Sequence, residues 1–531
     1  MIKKILFILS FLLILIVDIN STIIIQRVYF SGNNICNYFQ NTGIFNQNTS
    51  SRNLAGFYWP CGSSNQYCFT AGINAYCKID NHKAMFACSY RGELSPGFIY
   101  SPTDIRNKDF KIYSVKKGDN NSNPDYANWY KMVPYGAPYI DVNNNCRYDD
   151  GIDIPGIKDA TQTIFVCLND GDPSQRNPNE GFGGGISYPL LYAEVRMTAW
   201  GYNETISDVQ FIKYDIINKG SKTWDSTFFS LYVDPDIGFP TMNFIGCDSV
   251  KNLGYAYNGD LSVFGAYGIK VLQGPINKAT GDTIYMSSFT GNINGDSCGF
   301  VNSFYTMKGL KNDNVWYLDP TYSPPRRTKF VFSGDPESNT GWTPSKGFIN
   351  NCSNVDTGSI LPVYPTDEYF CLSFGDDNLK VFPGDTQKIY IAQMVAKGYN
   401  NRNSVTKLKR LSDATSFIFN NGIINNNENC NLDAIPEEFS LEQNYPNPFN
   451  VLTKFKFNIP RVSYIKLAIY DPLGREVALL ANGNYGPGFY EVPFNAENYA
   501  SGIYFYRMEV IDKTISMQKI YSRIKKMVVL K

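Results

Sequence analysis

The chain has 531 residues, enough for two to four domains. Its 48 basic and 48 acidic side chains balance, and no basic block stands out, which excludes the charge footprint of a nucleic-acid-binding protein. A single histidine, His82, excludes zinc sites with several His ligands, while 38 Tyr, 36 Phe and frequent Gly, Asn and Pro predict short strands with many turns.

Residues 1–21 read as a signal peptide. Lys3 and Lys4 precede an apolar run, Ile5 to Val17, broken only by Ser10 and shorter than the roughly 20 residues that span a bilayer. An uncleaved anchor is the competing reading, because Thr22 to Ile25 prolong the apolar character. Residues 22–190 form a Cys-rich region of strands and loops. All 12 cysteines lie beyond the apolar run, and an even number in an exported chain predicts disulfides, with buried free thiols as the alternative. His82 lies in the turn sequence Asp80-Asn81-His82-Lys83, with no nucleophile motif beside it, so a surface histidine is expected.

The segment from Asp141 to Asp153 is the candidate metal loop. Asp141, Asn143, Asn145 and Asp149 bear oxygen on alternate positions, the Arg147 carbonyl adds a ligand, and Asp150 or Asp153 supplies a further carboxylate. A loop coiling round a structural Ca²⁺ uses this spacing. Cys146 stands where such a loop wants Gly, and Ile152 where it wants a bidentate Glu. Asn and Asp are also good turn formers, so a plain polar loop stands beside the Ca²⁺ reading.

Residues 191–421 show the clearest strand pattern. Leu191 to Gly201, Val209 to Asn218 and Thr227 to Val233 predict an antiparallel β-sandwich; in the third, Phe229, Leu231 and Val233 share one face and Phe228, Ser230 and Tyr232 the other. Asp234-Pro235-Asp236 then reads as a solvated turn, with half of a metal or sugar site as the sharper alternative. Asn292 to Asp296 has the same character. A helix is predicted from Ser404, as N-cap, to Asn420, with Val405, Leu408, Leu411, Thr415 and Ile418 on the face that meets the sheet. Residues 422–438 read as an exposed linker.

From 439 to 531 alternation is regular and predicts about seven strands, the size of an Ig-like sandwich. Four blocks occur in order: Gln443-Asn444-Tyr445-Pro446-Asn447-Pro448-Phe449-Asn450, Tyr470-Asp471-Pro472-Leu473-Gly474-Arg475-Glu476-Val477, Ser501-Gly502-Ile503-Tyr504-Phe505-Tyr506-Arg507, and the terminal Lys526 to Lys531. This region resembles the type A C-terminal sorting domain of type IX (Por) secretion substrates. The sorting residues that match are Asn444, Tyr445, Pro446, Asn447, Pro448, Phe449, Asn450, Gly474, Lys526 and Lys531. Val451 stands where the family usually has Pro, and Phe494 where Trp is common.

The resemblance implies passage through the periplasm and an outer-membrane translocon to the cell surface or beyond, then removal of the tail by a sortase within residues 422–438. The preceding region resembles large secreted proteins with the same tail, at Asp141 to Asn145, Ile152 to Gly156, Asp234 to Gly238, Phe332 to Pro336 and Pro383 to Gln387, which implies architecture and no particular activity. Fold class is therefore mainly all-β: a sandwich passenger with one C-proximal helix, then an Ig-like sandwich.

Absent catalytic signatures favour a non-enzymatic binding, adhesion or structural passenger. Surface polysaccharide or extracellular glycan is the expected contact, with Trp129, Trp200, Trp224, Trp316 and Trp342 as stacking candidates unless they belong to the core. The alternative is an extracellular glycosidase using a carboxylate pair, for which Glu194, Asp234 and Asp236 are candidates.

Overall fold

In the strand Asp225–Asp234 both alternating sets of side chains are buried, so the strand must be covered on two sides. The computed structural model that shows how describes residues 25–48, 54–99, 110–176, 182, 188–204, 206–260, 264–298, 303–312, 315–421, 438–460, 463–485, 488–512 and 518–530. The predicted signal peptide, all of the predicted 422–438 linker but its last residue, Cys430 and Lys531 lie outside the described residues. The chain forms two compact units: one takes residues up to Ile112, Leu168–Val195 and Tyr214–Ser412, the other Tyr113–Cys167, Arg196–Lys213 and the chain from Asp413 onward.

The first unit is built from β1 (Ile44–Phe45), β2 (Thr70–Ile79), β3 (Asp225–Asp234), β4 (Asn243–Asp248), β5 (Leu253–Asn258), β6 (Ala266–Gln273), β7 (Ser288–Gly291), β8 (Phe370–Gly375), β9 (Thr386–Ala396) and the part of α1 (Asn401–Asn420) up to Ser412. Antiparallel pairing orders one sheet β1-β2-β3-β8-β7, and β4-β5-β6-β9 run side by side in a second. Gly254 on β5 marks where the sheets pack face to face. A Cβ there would lie 2.8 Å from the Phe289 ring and 3.0 Å from Leu372, both in the first sheet.

The next residue, Tyr255, faces the other way, as strand alternation requires. Its ring lies 5.7 Å from the Lys409 ammonium of α1, and Leu408 rests against Gly268, the residue paired with Tyr255. The helix thus covers the outer face of the second sheet. On the outer face of the first, Tyr76, Phe228 and Tyr232 pack with Phe304 and Met307 of the short helix Ser303–Met307. Between the sheets, Asn46 (φ +71°) donates to Gln393 Oε1 at 3.0 Å and to the Tyr267 hydroxyl at 3.3 Å. This network satisfies polar groups that a dry core would otherwise leave unmade.

The helix begins earlier than predicted. Asn400 caps it, its side-chain oxygen accepting from the Asn403 N–H at 2.8 Å, while Ser404 sits inside the first turn and bonds the Asn400 carbonyl. The register of the buried stripe shifts accordingly. Val405, Leu408 and Thr415 are buried as expected, but Ser412 and Phe419 replace Leu411 and Ile418.

The disulfide expectation holds only for some of the cysteines. Cys36–Cys61 and Cys298–Cys352 are bonded, and Cys146 is also disulfide-bonded. Cys68, Cys77, Cys88, Cys167, Cys247 and Cys371 are buried free thiols, five of them on strands whose apolar neighbours treat sulfur as a small hydrophobe. Of the two readings of the tryptophans, the core one holds for Trp129, Trp200, Trp224 and Trp342, none more than 1% exposed, while Trp316 is partly buried. His82 is exposed, at the end of the Asp80-Asn81 turn.

In the second unit, Tyr113–Lys116 pairs with the strand Gln162–Asn169, and the Trp129 ring donates to the Pro138 carbonyl at 2.8 Å. Its C-terminal part contains β10 (Leu452–Ile459), β11 (Ser463–Tyr470), β12 (Glu476–Tyr485), β13 (Gly488–Asn495), β14 (Gly502–Asp512) and β15 (Gln518–Val529), with the two-residue strand Ser440–Leu441 as a seventh. They form one sheet of Ser440–Leu441, β10 and β13, and another ordered β12-β11-β14-β15. Phe455, Phe457, Ile465, Leu467, Tyr506, Met508 and Val529 meet in the core between them.

Candidate functional site

β3 ends on Asp234, and the chain beyond it is held by backbone. Phe69 N–H donates to the Asp234 carbonyl at 2.8 Å, Asp236 N–H to the Tyr67 carbonyl at 3.2 Å, and Gly238 N–H to the Gln66 carbonyl at 3.2 Å. Asn243, fully buried at the start of β4, ties this arm to a second one. Its side-chain amide donates to the Pro235 carbonyl and accepts from Ile237 N–H, both at 3.3 Å. Its backbone exchanges two hydrogen bonds with Thr366, the residue before Asp367. Asp234, Asp236 and Asp367 thereby come together, with carboxylate oxygens within 4.8 Å of one another.

The solvated-turn reading of Asp234-Pro235-Asp236 is wrong. Asp234 is 7% and Asp236 8% exposed; only Asp367 opens to solvent. Burial, then repulsion from Asp236, raises the Asp234 pKa to about 8 against the pull of the Tyr90 hydroxyl; burial and the nearby Asp367 raise Asp236 to about 7. Burial also pushes Asp367 upward. Tyr90 lies 2.9 Å from Asp234 Oδ2 and 2.8 Å from the Tyr232 hydroxyl. With Tyr90 donating to the carboxylate, Tyr232 donates to Tyr90. Glu368, next in the chain, is a further buried carboxyl group, raised to about 9 chiefly by desolvation.

Sequence reasoning missed Asp367 and Tyr90, because they reach the Asp234 arm from segments distant in the chain, and Asn243, because no local pattern marks an asparagine as the tie between arms. The one local signal was Asp234 itself, a carboxylate directly following a strand apolar on both faces. Glu194 does not belong here. It is buried and bonds the Ile99 N–H at 3.3 Å, with Lys219 at 3.8 Å.

The predicted metal loop lies between the paired strands Tyr139–Ile140 and Ile154–Pro155. Asp141 accepts from Asn145 N–H (3.1 Å) and Cys146 N–H (2.6 Å), and the Asn145 side-chain oxygen from Arg147 N–H at 2.8 Å. Asn143 and Asn145 amides donate to Asp149 Oδ2 at 2.7 and 2.6 Å. Buried Asp153 accepts from Val142 and Asp149 N–H. The loop coils on its own oxygens, with Asn144 and Cys146 at positive φ.

In the tail, the Asn444–Asn450 block is stitched to the last strand. Asn444 N–H donates to the Tyr506 hydroxyl at 2.8 Å, and the Asn444 amide bonds Thr453 Oγ1 and the Pro446 carbonyl. Gln443 reaches the Lys526 carbonyl at 2.8 Å, and Phe449 pairs with Val529 in a parallel bridge. Tyr445 is exposed, Phe449 buried. The second block closes a turn in which Asp471 accepts from Leu473 and Arg475 N–H groups, with Gly474 at φ +79°. That turn and Ser501 to Tyr504 line one shallow hollow.

Residues 443–523 match the family model described as a secretion system C-terminal sorting domain. The tail is a Por secretion sorting domain. It directs the chain to the type IX secretion machinery and so to the cell surface or the extracellular space.

Three solved structures have similarity beyond the sorting domain. A polysaccharide lyase matches with TM-score 0.16 and 10% identity, covering 67% of this chain and 36% of its own. A GH36 α-galactosidase from Geobacillus stearothermophilus, in complex with raffinose, matches at 0.25 and 8%, covering 70% and 41%. Dimeric latent PorU from Porphyromonas gingivalis matches at 0.15 and 12%, covering 69% and 31%. The chain spans less than half the length of each, and such scores assign no activity. No curated protein matches the chain.

Proposed function

We propose that the region preceding the sorting domain is a non-enzymatic binding module that contacts extracellular carbohydrate at the Asp234 and Asp367 arms. One observation carries this reading. Each arm that brings a carboxylate also bears an exposed ring: Phe239, three residues after Asp236, is 66% exposed, and Tyr364, three residues before Asp367, is 64% exposed. Exposed rings beside carboxylates offer a sugar both a stacking surface and acceptors for its hydroxyls. With Trp129, Trp200, Trp224 and Trp342 in the core, this reading gives the role to Phe239 and Tyr364. In the same reading the Asp141 to Asp153 loop holds a structural Ca²⁺ through Asp141, Asn143, Asn145, Asp149, Asp153 and the Arg147 carbonyl, and the surface sortase cuts within residues 422–438.

A glycan array probed with the purified chain tests the reading. Specific binding is expected, reduced at least about tenfold in the Phe239→Ala/Tyr364→Ala double variant, which corresponds to about 1.4 kcal/mol. Equal binding by the variant removes these rings from the site. The second reading, a glycosidase, rests on Asp234 and Asp236 as two buried carboxyl groups with oxygens within 4.8 Å of each other, since glycoside hydrolysis works with a carboxyl pair. Release of sugar by the wild type, abolished in Asp236→Asn, would replace the binding reading.

A further inference from the structure

Asp234, Asp236 and Asp367 crowd three negative charges into a place where two of the three side chains are out of water. The charges that act on Asp234 are those of Asp236 and Asp367, and the one that acts on Asp236 is that of Asp367. Asp234 supplies an observation of a different kind. It is more than nine-tenths buried; Oδ2 is satisfied by Tyr90, and Oδ1 has no hydrogen-bond donor at all. Nothing among the described residues completes that oxygen, although buried polar atoms are as a rule satisfied.

The geometry points to a divalent cation, Ca²⁺, held by the carboxylates of Asp234, Asp236 and Asp367. An oxygen-only donor set selects a hard ion over zinc or copper. Ca²⁺ accepts flexible sets of oxygens, whereas Mg²⁺ demands a near-ideal octahedron. The three carboxylate oxygens lie within 4.8 Å of one another, on arms fixed by backbone pairing to Gln66–Phe69 and by Asn243. Exposed Asp367 leaves the side through which water completes the six to eight ligands that Ca²⁺ takes. The ion would neutralise the cluster and lock the arms that carry Phe239 and Tyr364. It shares those arms with the proposed sugar contact but stands without it, since uptake is measured with no carbohydrate present.

Calorimetric titration of the chelator-stripped chain with CaCl₂ tests the site. Uptake is expected with Kd in the range of extracellular modules, about 10⁻⁴–10⁻³ M, together with a rise in Tm. One equivalent of that uptake should be lost in Asp236→Asn/Asp367→Asn and retained in Asp141→Asn/Asp149→Asn, which removes only the loop. The triad variant relieves repulsion, so in chelator it should melt no lower than the wild type. If it melts lower, Asp367→Asn alone, at an exposed position, carries the test. Unchanged uptake in the triad variant, or no uptake by the wild type at about 10⁻³ M, would overturn the site. Equal response to MgCl₂ would overturn the choice of ion.

Discussion

The side chain of Asn447 pairs with the backbone of Val528 as a neighbouring strand would: Oδ1 accepts the Val528 N–H at 2.9 Å while Nδ2 donates to the Lys526 carbonyl at 3.3 Å. Only a carboxamide supplies both halves of that contact. Asn447→Ala leaves the two backbone groups to solvent and should cost about 1 kcal/mol, read as faster hydrogen exchange at Val528. Asn447→Asp keeps the acceptor and loses the donor, so it should fall between the two. An Ala variant with unchanged exchange would show that the asparagine serves recognition alone.

Val451 follows the same block and sits at φ +65°, a conformation that costs a non-Gly residue roughly 1–2 kcal/mol and is rarest for β-branched side chains. Its carbonyl accepts the Ala496 N–H at 2.7 Å, so the turn is held from outside. Val451→Gly should therefore stabilise the sorting domain by about 1 kcal/mol, after allowing for the greater freedom glycine gains when unfolded. Val451→Pro should destabilise it, because proline fixes φ near −65°. Thermal melts of the two variants, moving in opposite directions, check the assignment; a stabilising proline would refute the backbone conformation.

Legibility from sequence followed the range of the interactions. Period-two alternation identified Val209–Asn218 without error and placed both faces of β3 correctly, because each residue's face depends only on its neighbours. The sorting domain was readable because its motif residues serve turns and strand pairs set by local chemistry, as Asp471 and Gly474 show. The carboxylate cluster was not, since Asp236 and Asp367 are joined through Asn243, whose role no spacing reveals. Composition misled at six cysteines, because a thiol looks alike in sequence whether it is bonded or packed in the core.

Arg176 is enclosed between two carboxylates, with Nη1 2.7 Å from Glu93 and Nη2 3.1 Å from Asp170, and all three side chains are at most 3% exposed. Asp170 also accepts from the Leu191 and Ala193 N–H groups, yet desolvation dominates and its pKa is raised. Arg176→Ala would strand two buried acids and should cost about 3–5 kcal/mol. Lys222→Ala, which breaks an ion pair with Asp80 whose partners are both more than half exposed, should cost under about 1 kcal/mol. Urea midpoints of the two variants check the contrast, and comparable losses would sink it.

Glu337 gathers the start of α1. Thr406 donates to Oε2, and the Tyr399 hydroxyl (2.7 Å) and Asn403 amide (2.8 Å) donate to Oε1. These bonds, that of Thr406 foremost, hold the carboxyl pKa below its ordinary value. A depressed folded pKa means that the unfolded chain binds the proton more tightly. The stabilisation is then full above the unfolded value, about 4.3, and disappears as pH falls through the folded one. Glu337→Gln keeps the shape, exchanges one acceptor for a donor and cannot ionise. It should lower stability at pH 7, and the deficit relative to wild type should close below the ordinary carboxylate range, where wild-type Glu337 is itself protonated. Paired melts at the two pH values, followed through hydrogen exchange at Asn403 and Thr406, measure this. A deficit of equal size at both would assign the loss to packing and remove Glu337 as the acid-sensitive fastening of the helix.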